Sequence, residues 1–255
     1  MKKFKRFIKK YLNKFINELI LYKFGYSLNH RNDSSPFQFK DIFKLKNKTL
    51  TLIDCGAFTG EFTKEFLKYF PDSYCICIEP SPNAFKKLKK AFSEKTNISL
   101  YQFGLFDKDI EKEIYINAYE PTNSIFEKSL NVTDNDADLY KETNKVSISL
   151  KKLDNIMEEY FLKKKKKFHI DFLKIDVQSA EMYLLNGAIE TLKYTEYILI
   201  EIQFVSLYKN SPTFHEIYNF LEEKGFKFLR FYDLTVDETN RTKLIHGDAF
   251  FKKIK

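Results

Sequence analysis

The strongest chemical signal in this sequence is an acidic residue that precedes a glycine-rich turn. The segment LIDCGAFTG places Asp54 at the end of a short apolar strand, ahead of a turn that contains Gly56, Ala57 and Gly60. The next apolar run, YCICI, is followed directly by Glu79. A carboxylate about 20 residues beyond such a turn is where nucleotide-binding βαβ units hold a ribose. The spacing therefore predicts a site for a nucleoside-containing cofactor.

The position of Asp54 distinguishes this turn from a dinucleotide-binding loop. In a G-x-G-x-x-G loop, backbone N–H groups approach a pyrophosphate, which a neighbouring carboxylate would repel. A carboxylate suits a cationic ligand with a free amino group, such as S-adenosylmethionine, and Glu79 would accept hydrogen bonds from both ribose hydroxyls. The alternative is an ordinary strand–turn–helix corner in which the glycines only allow the turn. We predict S-adenosylmethionine binding by Asp54, Gly56, Ala57, Gly60 and Glu79.

Two later acids are candidates for the chemical step. Asp176 and Glu201 end or lie near the ends of the apolar runs FHIDFLKID and YILIEI. Ligands of open α/β sheets bind beyond the carboxyl ends of the strands, so these acids and those of the cofactor half are expected in one crevice. Methyl transfer from a sulfonium depends on positioning of the acceptor, and a hydroxyl acceptor must also lose its proton. We predict that Asp176 is the general base or orients the acceptor, with Glu201 as the second candidate.

Several residues near these acids also have a purely structural interpretation. Asp176 could cap the helix that follows it, and Glu181 would then lie in the first turn of that helix, where the dipole favours an acid. Lys174 is expected to pair with a neighbouring acid. Among the histidines, His246, just before the last predicted strand, is the one candidate for an alternative base.

The elements that position these residues follow from the alternation of apolar runs and helical patterns. Strands that alternate with helices predict an α/β fold with a parallel sheet covered on both faces. The predicted strands cover residues 50–54, 74–79, 98–103, 168–176, 197–202, 226–232 and 249–254, with helices near 60–70, 82–94, 180–189 and 212–224. The last two strands are expected to form a closing pair.

The middle of the chain departs from this alternation. Glu113–Asn117 and Val146–Leu150 alternate apolar and polar residues like the strands of a hairpin. They enclose a polar stretch, residues 119–145, without clear periodicity. A loop of that length inside a compact domain is usually a lid or a binding loop. We therefore predict an inserted hairpin with a lid within a domain of residues 49–255.

The positive charge of the chain is concentrated at its N-terminus. Residues 1–30 carry eight Lys or Arg and one acid, which accounts for seven of the eight net positive charges of the 255-residue chain. The remainder is almost neutral, so no nucleic-acid partner is expected. In residues 1–30, apolar residues recur with helical periodicity opposite the lysines. Lysines interrupt every apolar run that could otherwise form a signal peptide or a transmembrane span.

This pattern predicts a basic amphipathic helix over residues 1–30, followed by a linker at residues 31–48. Two interpretations stay open: residues 1–24 lie on an anionic membrane surface, or the helix docks on its own domain or on a partner subunit. Three irregularly placed cysteines favour a reducing compartment, and no spacing resembles a zinc site, so no metal is expected. The predicted location is the cytoplasm, at the inner face of the membrane under the first interpretation.

Several segments together resemble the FkbM family of S-adenosylmethionine-dependent methyltransferases. They occur in family order and span about residues 45–255 of the chain. The segments are Leu52–Gly60, Glu79–Pro82, Asn123–Ile125, Ser149–Asp154, Phe172–Glu181, Asn186–Ala188 and Gly247–Phe251. The run LKIDV within the fifth segment is the most specific of them, whereas the first loop is shared by methyltransferases generally.

The resemblance implies a seven-stranded, mostly parallel Rossmann-like methyltransferase sheet and an O-methyltransferase that acts on a hydroxyl of a sugar or glycan precursor. It also adds Pro80, next to Glu79, to the predicted cofactor-binding residues. Where the family usually has Glu-Gly after Ile-Asp-Val, this chain has Gln178 and Ser179. Two alternatives stay open: another methyl acceptor (a small metabolite, RNA or protein), and a non-catalytic module that keeps the fold.

Overall fold

A seven-stranded, mostly parallel sheet forms the centre of the fold, as the sequence predicts. The computed structural model describes residues 37–39, 49–132, 137–164, 168–237 and 242–254. The strands are β1 Thr51–Cys55, β2 Tyr74–Ile78, β3 Ile98–Tyr101, β4 Gly104–Leu105, β5 Ile110–Asn117, β6 Glu142–Lys151, β7 Ile170–Ile175, β8 Thr195–Gln203, β9 Phe226–Val236 and β10 Leu244–Lys253. The order in the large sheet is β3-β2-β1-β7-β8-β10-β9, and β10 runs antiparallel to both of its neighbours.

Helices connect the parallel strands. They are α1 Glu61–Tyr69, α2 Pro82–Ala91, α3 Leu153–Lys164, α4 Glu181–Asn186, α5 Ile189–Lys193 and α6 Phe214–Glu223. The start of α6 follows from its sequence, because Thr213 and Glu216 form a capping box. The helix predicted near residues 180–189 is two short helices, α4 and α5. The remaining long helix, α3, was not predicted from the sequence.

The sheet is buried on both faces because successive side chains of a strand point to opposite sides. In β1, Leu52 belongs to an aromatic-rich cluster with Phe66 and Phe172. Its neighbour Ile53 belongs to a second cluster, which includes Leu173. The two clusters confirm the prediction of a parallel sheet that is covered on both faces.

Two phenylalanines anchor part of the segment that the sequence predicts to be a linker, residues 31–48. Phe39 is only 2% exposed. Its ring centroid lies 5.2 Å from that of Phe66 and 5.8 Å from that of Phe172. The ring of Phe37 lies 5.5 Å from that of Phe172. The described part of this segment, residues 37–39, therefore contributes to the core.

The predicted hairpin is present and belongs to a second, three-stranded sheet of order β4-β6-β5. β5 and β6 pair antiparallel, while β4 pairs parallel with β6. The polar stretch at residues 119–145 contains a 3₁₀ turn, Glu120–Thr122, and the first residues of β6. The described part of the predicted lid therefore contains some regular secondary structure.

The predicted amphipathic helix of residues 1–30, its membrane contact through residues 1–24 and most of the linker lie outside the described residues. Both interpretations of the basic segment stay predictions. Within the part of the chain that the structure describes, none of the helices combines the length and apolar character that crossing a bilayer requires.

Replacement of Phe39 by alanine tests whether the predicted linker contributes to the core. Because the ring is buried among other aromatics, we expect Phe39→Ala to lower the free energy of unfolding by about 3 kcal/mol, as for other buried phenylalanines. Urea unfolding gives this value. Leu229→Ala, at a side chain that is 44% exposed, is the control and should change it by less than about 0.5 kcal/mol. Equal stability of Phe39→Ala and the wild type would contradict the packing.

Candidate functional site

A cavity of about 460 Å³ lies at the carboxyl ends of the central strands. Its wall includes the four acids that the sequence predicts to converge: Asp54, Glu79, Asp176 and Glu201. Their convergence follows from the topology, because β2, β1, β7 and β8 are parallel neighbours whose carboxyl ends meet at one edge. Ala57 and Pro80, two further predicted cofactor residues, also line the cavity.

The turn after β1 depends on Gly56. This residue has φ +78° and lines the cavity. A Cβ atom there would lie 1.7 Å from the backbone oxygen of Asp176, so the β1 turn can approach the end of β7 only with glycine. The predicted importance of Gly56 therefore has a steric cause in the close approach of two backbones.

Gly60, also predicted to bind the cofactor, has a structural role in this turn. Gly60 is not among the cavity-lining residues of the described chain. It is the N-cap of α1 with φ +90°, and a Cβ atom there would lie 2.5 Å from the ring of Phe92. Gly60 therefore turns the chain and allows α1 to pack closely. The spacing of glycines in the sequence does not distinguish this packing role from contact with a ligand.

Asp54 is a buried carboxylate with one unused oxygen. The hydroxyl of Thr63 donates to Asp54 Oδ2 at 2.7 Å. Within the described residues, Asp54 Oδ1 has no hydrogen-bond partner although it is buried. Burial also raises the pKa of this carboxyl above its usual value. A buried acceptor without a donor is costly, so Asp54 is suited to a ligand that brings a donor or a positive charge.

Glu79 is held by backbone N–H groups from two sides. Phe58 N donates to Glu79 Oε2 at 2.9 Å, and Ser81 N donates to Oε1 at 2.8 Å. Each oxygen keeps a second lone pair for hydrogen bonds from a ligand. Glu79 is 6% exposed, and burial raises its pKa to about 7 despite these two hydrogen bonds.

Lys174 is the cation among these acids. In the register of the sheet it lies opposite Asp54 of β1, and its ammonium donates to Asp176 Oδ2 at 2.6 Å. This pair confirms the prediction that Lys174 pairs with a neighbouring acid. Burial alone would lower the pKa of Lys174, but Asp176, Asp54 and Asp248 together raise it above its usual value.

Three acids lie close to Lys174, at the end of β7 and on the neighbouring strands β8 and β10. Glu201 of β8 pairs in register with Asp248 of β10, and both line the cavity together with Asp176. Burial raises the pKa of Glu201 well above its usual value and that of Asp248 to about 7. Burial acts in the same direction on Asp176, but the charge and hydrogen bond of Lys174 lower the pKa of that carboxyl. The sequence analysis did not single out Asp248, although GDAFF was part of the resemblance.

The alternative that Asp176 caps a helix is wrong. The helix after it, α4, starts at Glu181, and its N-cap is Ala180. The side chain of Asp176 is 32% exposed and lines the cavity. Glu181 does lie in the first turn, as predicted, where its Oε1 accepts from the backbone N–H groups of Val177 and Ser179.

The departure from the family pattern lies in the turn between Asp176 and α4. Gln178 has φ +50° and Ser179 has φ +78°. The second value favours glycine, the residue that the family usually has there. In this chain the hydroxyl of Ser179 donates to Gln203 Oε1 at 3.1 Å. Gln178 lines the cavity.

The remaining wall of the cavity comes from the second sheet and from the described part of the predicted lid. Their cavity-lining residues are Gly104, Leu105, Ile114, Glu120, Pro121, Asn123, Ser124, Ile125, Ile148 and Leu150. The insert therefore adds a mixture of apolar and polar side chains to the wall of the acidic site. Sequence reasoning located the insert but did not assign its inward-facing residues to the site.

Two histidines have separate positions. His246 Nδ1 lies 4.0 Å from Glu201 Oε1, and burial lowers the pKa of His246.

His169, Asp171 and Glu196 bring potential metal-ligand atoms within 4.8 Å of one another. This group lies at the amino ends of β7 and β8, opposite the cavity, and Asp171 already accepts from the backbone N–H of Thr51.

Comparison with known proteins gives one family. Residues 54–228 match the model of the methyltransferase FkbM domain. The chain is similar to Methyltransferase 1 of Beauveria bassiana, with 26% identity over 185 residues that cover 69% of this chain and 71% of that protein. It is also similar to 2-O-methyltransferase NoeI of Sinorhizobium fredii, with 22% identity over 177 residues that cover 67% and 70%, respectively.

A solved structure supports the fold alone. The methyltransferase FkbM from Methylobacillus flagellatus superimposes with a TM-score of 0.50 at 14% sequence identity. The match covers 80% of this chain and 43% of that protein, so this chain spans less than half of its length. The likeness agrees with the seven-stranded sheet described above.

Removal of the Lys174 charge tests its role among the buried acids. We expect Lys174→Met to lower the free energy of unfolding at neutral pH by about 3 kcal/mol, because it leaves neighbouring carboxylates without their cation. The measurement is urea unfolding, with Lys68→Met as the matched control. Lys68 forms an ion pair on the surface and is 69% exposed, so its loss should have a much smaller effect than the loss of Lys174. Equal effects of the two substitutions would contradict the assigned role.

Proposed function

The chain belongs to the FkbM methyltransferase family, and from this premise we propose that it transfers a methyl group from S-adenosylmethionine to a hydroxyl of a sugar or glycan precursor. The observation that carries the proposal is the unused, buried Oδ1 atom of Asp54 in the same cavity as the backbone-held carboxylate of Glu79. The Asp54 carboxylate suits the amino group at one end of the cofactor, and the Glu79 carboxylate suits the ribose of its adenosine end.

The residues around the cavity fit this cofactor. Asp54 Oδ1 would accept from its amino group, and Glu79 would accept from both ribose hydroxyls. Ala57 and Pro80 would lie along the cofactor, since both line the cavity beside these acids. Gly56 would allow the ligand to approach the backbone closely.

The charge of the cavity agrees with a cationic ligand. Seven acidic residues line it, and Lys174 is the one basic residue among the described lining residues. A sulfonium and an ammonium group are favoured in such a field, whereas a pyrophosphate or a nucleic-acid backbone is repelled. The same argument disfavours RNA as the methyl acceptor.

For the chemical step we propose that the acceptor hydroxyl meets Asp176 and Glu201. S-adenosylmethionine supplies a methyl group that is already activated on a sulfonium. A bond forms between the acceptor oxygen and the methyl carbon while the sulfur–carbon bond breaks, and its electron pair stays on sulfur. The hydroxyl proton passes to a carboxylate. Asp176 is the first candidate because its side chain is partly exposed to the cavity, and Glu201 is the second.

Two arguments support a hydroxyl of a carbohydrate as the acceptor. The similar protein from Sinorhizobium fredii is named a 2-O-methyltransferase, which agrees with oxygen as the acceptor atom. The resemblance to the family adds a sugar or a glycan precursor. Polar residues of the insert, among them Asn123 and Ser124, line the cavity and could donate to sugar hydroxyls.

Isothermal titration with S-adenosylhomocysteine tests the proposed function. We expect the wild type to bind it and Asp54→Asn to bind about 30-fold more weakly, the loss of a charge-assisted hydrogen bond worth about 2 kcal/mol. An asparagine that keeps its oxygen toward Thr63 would turn an NH₂ toward the ligand amino group. Asp72→Asn, at an exposed position, is the matched control and should bind like the wild type. Absence of binding by folded wild-type protein would refute the proposal.

The pKa of Glu79 makes the same binding reaction dependent on pH. Below its pKa of about 7 the carboxyl of Glu79 is mainly protonated in the free protein, and it must lose that proton to accept from both ribose hydroxyls. We expect the affinity for S-adenosylhomocysteine to rise between pH 5.5 and 7, by at most about tenfold per pH unit from this group, and then to level off. In Glu79→Gln the affinity should be lower and this dependence weaker. An affinity that falls over the same range would contradict the assignment.

A further inference from the structure

Gln178 occupies a strained position beside the two candidate catalytic acids. Both Gln178 and Ser179 have positive φ angles, which residues other than glycine adopt only when the surrounding structure holds them there. Glu181 Oε1 accepts from the backbone N–H groups on either side of Gln178, at 3.3 Å from Val177 N and 3.1 Å from Ser179 N. The turn is therefore held in the conformation that directs Gln178 toward the acids.

The side-chain amide of Gln178 bridges the two acids. Its Nε2 atom lies 2.9 Å from Asp176 Oδ1 and 2.8 Å from Glu201 Oε2. An NH₂ group has two hydrogens, one for each carboxylate. A glutamate at this position has no hydrogen to donate when ionised and would add a third negative charge. A neutral amide is thus the group that can hold two neighbouring carboxyl groups without repulsion.

The other end of the amide is tied to the insert. The buried hydroxyl of Tyr208 lies 2.8 Å from Gln178 Oε1 and 2.7 Å from the backbone oxygen of Thr122. The hydroxyl of Ser124 donates to the backbone oxygen of Gln178 at 2.6 Å. Thr122 and Ser124 flank Asn123 in the segment that lines the cavity. The amide therefore has a fixed orientation, with its oxygen toward Tyr208 and its NH₂ toward the acids.

We propose that Gln178 is a positioning residue, whose amide fixes the geometry and protonation of the Asp176–Glu201 pair. This inference rests on the proposed function. Gln178 does not exchange a proton or a methyl group with the acceptor. It presents two carboxyl groups in a fixed arrangement to one hydroxyl.

The test measures the titration of both acids directly by ¹³C-carboxyl NMR, with signals assigned from Asp176→Asn and Glu201→Gln. Gln178→Met has similar length and no donor. Because the charged form of Asp176 loses a hydrogen bond, we expect its titration midpoint to rise by about one pH unit. The other charged groups that face the pair are the same in wild type and variant. They include Lys174, Asp54, Glu79, Glu181, His246 and Asp248.

Tyr208→Phe is the matched control. It removes the hydroxyl that contacts Gln178 Oε1 and leaves both hydrogen bonds from the amide to the acids. We expect it to leave the Asp176 midpoint within about 0.3 pH units of the wild type. Unchanged midpoints in Gln178→Met, or an equally large change in Tyr208→Phe, would overturn the inference. If Gln178→Met does not fold, Gln178→Glu serves instead. We expect it to raise the titration midpoint of Asp176 further, because it adds a negative charge.

Binding of S-adenosylhomocysteine separates this inference from the proposed function. We expect Gln178→Met to bind it within about threefold of the wild type, because Asp54 and Glu79 keep their contacts. If the wild type binds it and the midpoints do not move, only the role of Gln178 is refuted. If folded wild type does not bind it, the proposed function fails, and the positioning role fails with it whatever the titration shows.

Discussion

The site depends on the electrostatic interaction of the buried Lys174 ammonium group with the acids at the carboxyl edge of the sheet. Asp54 lies on β1, Asp176 directly follows β7 and Asp248 lies on β10, and each contributes to the raised pKa of Lys174. Without this cation, acids on neighbouring parallel strands could ionise only at a large cost in free energy. With it, Asp176 stays ionised, whereas burial raises the pKa of Glu201. Charge and hydrogen bonding, mainly from Lys174, therefore outweigh burial at Asp176, whereas burial outweighs the charge of Lys174 at Glu201.

Backbone geometry joins the half of the cavity proposed for the cofactor to the half proposed for the acceptor. Gly56 brings the turn after β1 against the backbone of Asp176, and Asp176 N donates to Cys55 O at 3.0 Å. The left-handed turn at Gln178 and Ser179 then directs an amide back toward the acids. Because the two turns touch, a change in either one would alter the distance between the methyl donor and its acceptor. Such precise placement is where catalysis of methyl transfer is expected to arise.

Much of this arrangement is predictable from local sequence. Asp54 and Glu79 are recognisable because each follows its own apolar strand at a characteristic spacing, and the parallel order of strands brings their ends together. Asp248 and Gln178 are harder to predict. Their roles depend on the pairing of β8 with β10 and on a turn with positive φ angles, neither of which a single strand pattern encodes. The packing of Phe39 is hard to predict for a similar reason, because two aromatics in a short irregular segment do not reveal what they pack against.

A crystal structure of the protein with S-adenosylhomocysteine tests the central claim most directly. The account predicts the ligand amino group within hydrogen-bond distance of Asp54 Oδ1, about 3 Å, and both ribose hydroxyls on the carboxylate of Glu79. The ligand sulfur should then face Asp176 and Glu201 across the cavity. A ligand bound with its amino group away from Asp54, or outside this cavity, would contradict the account.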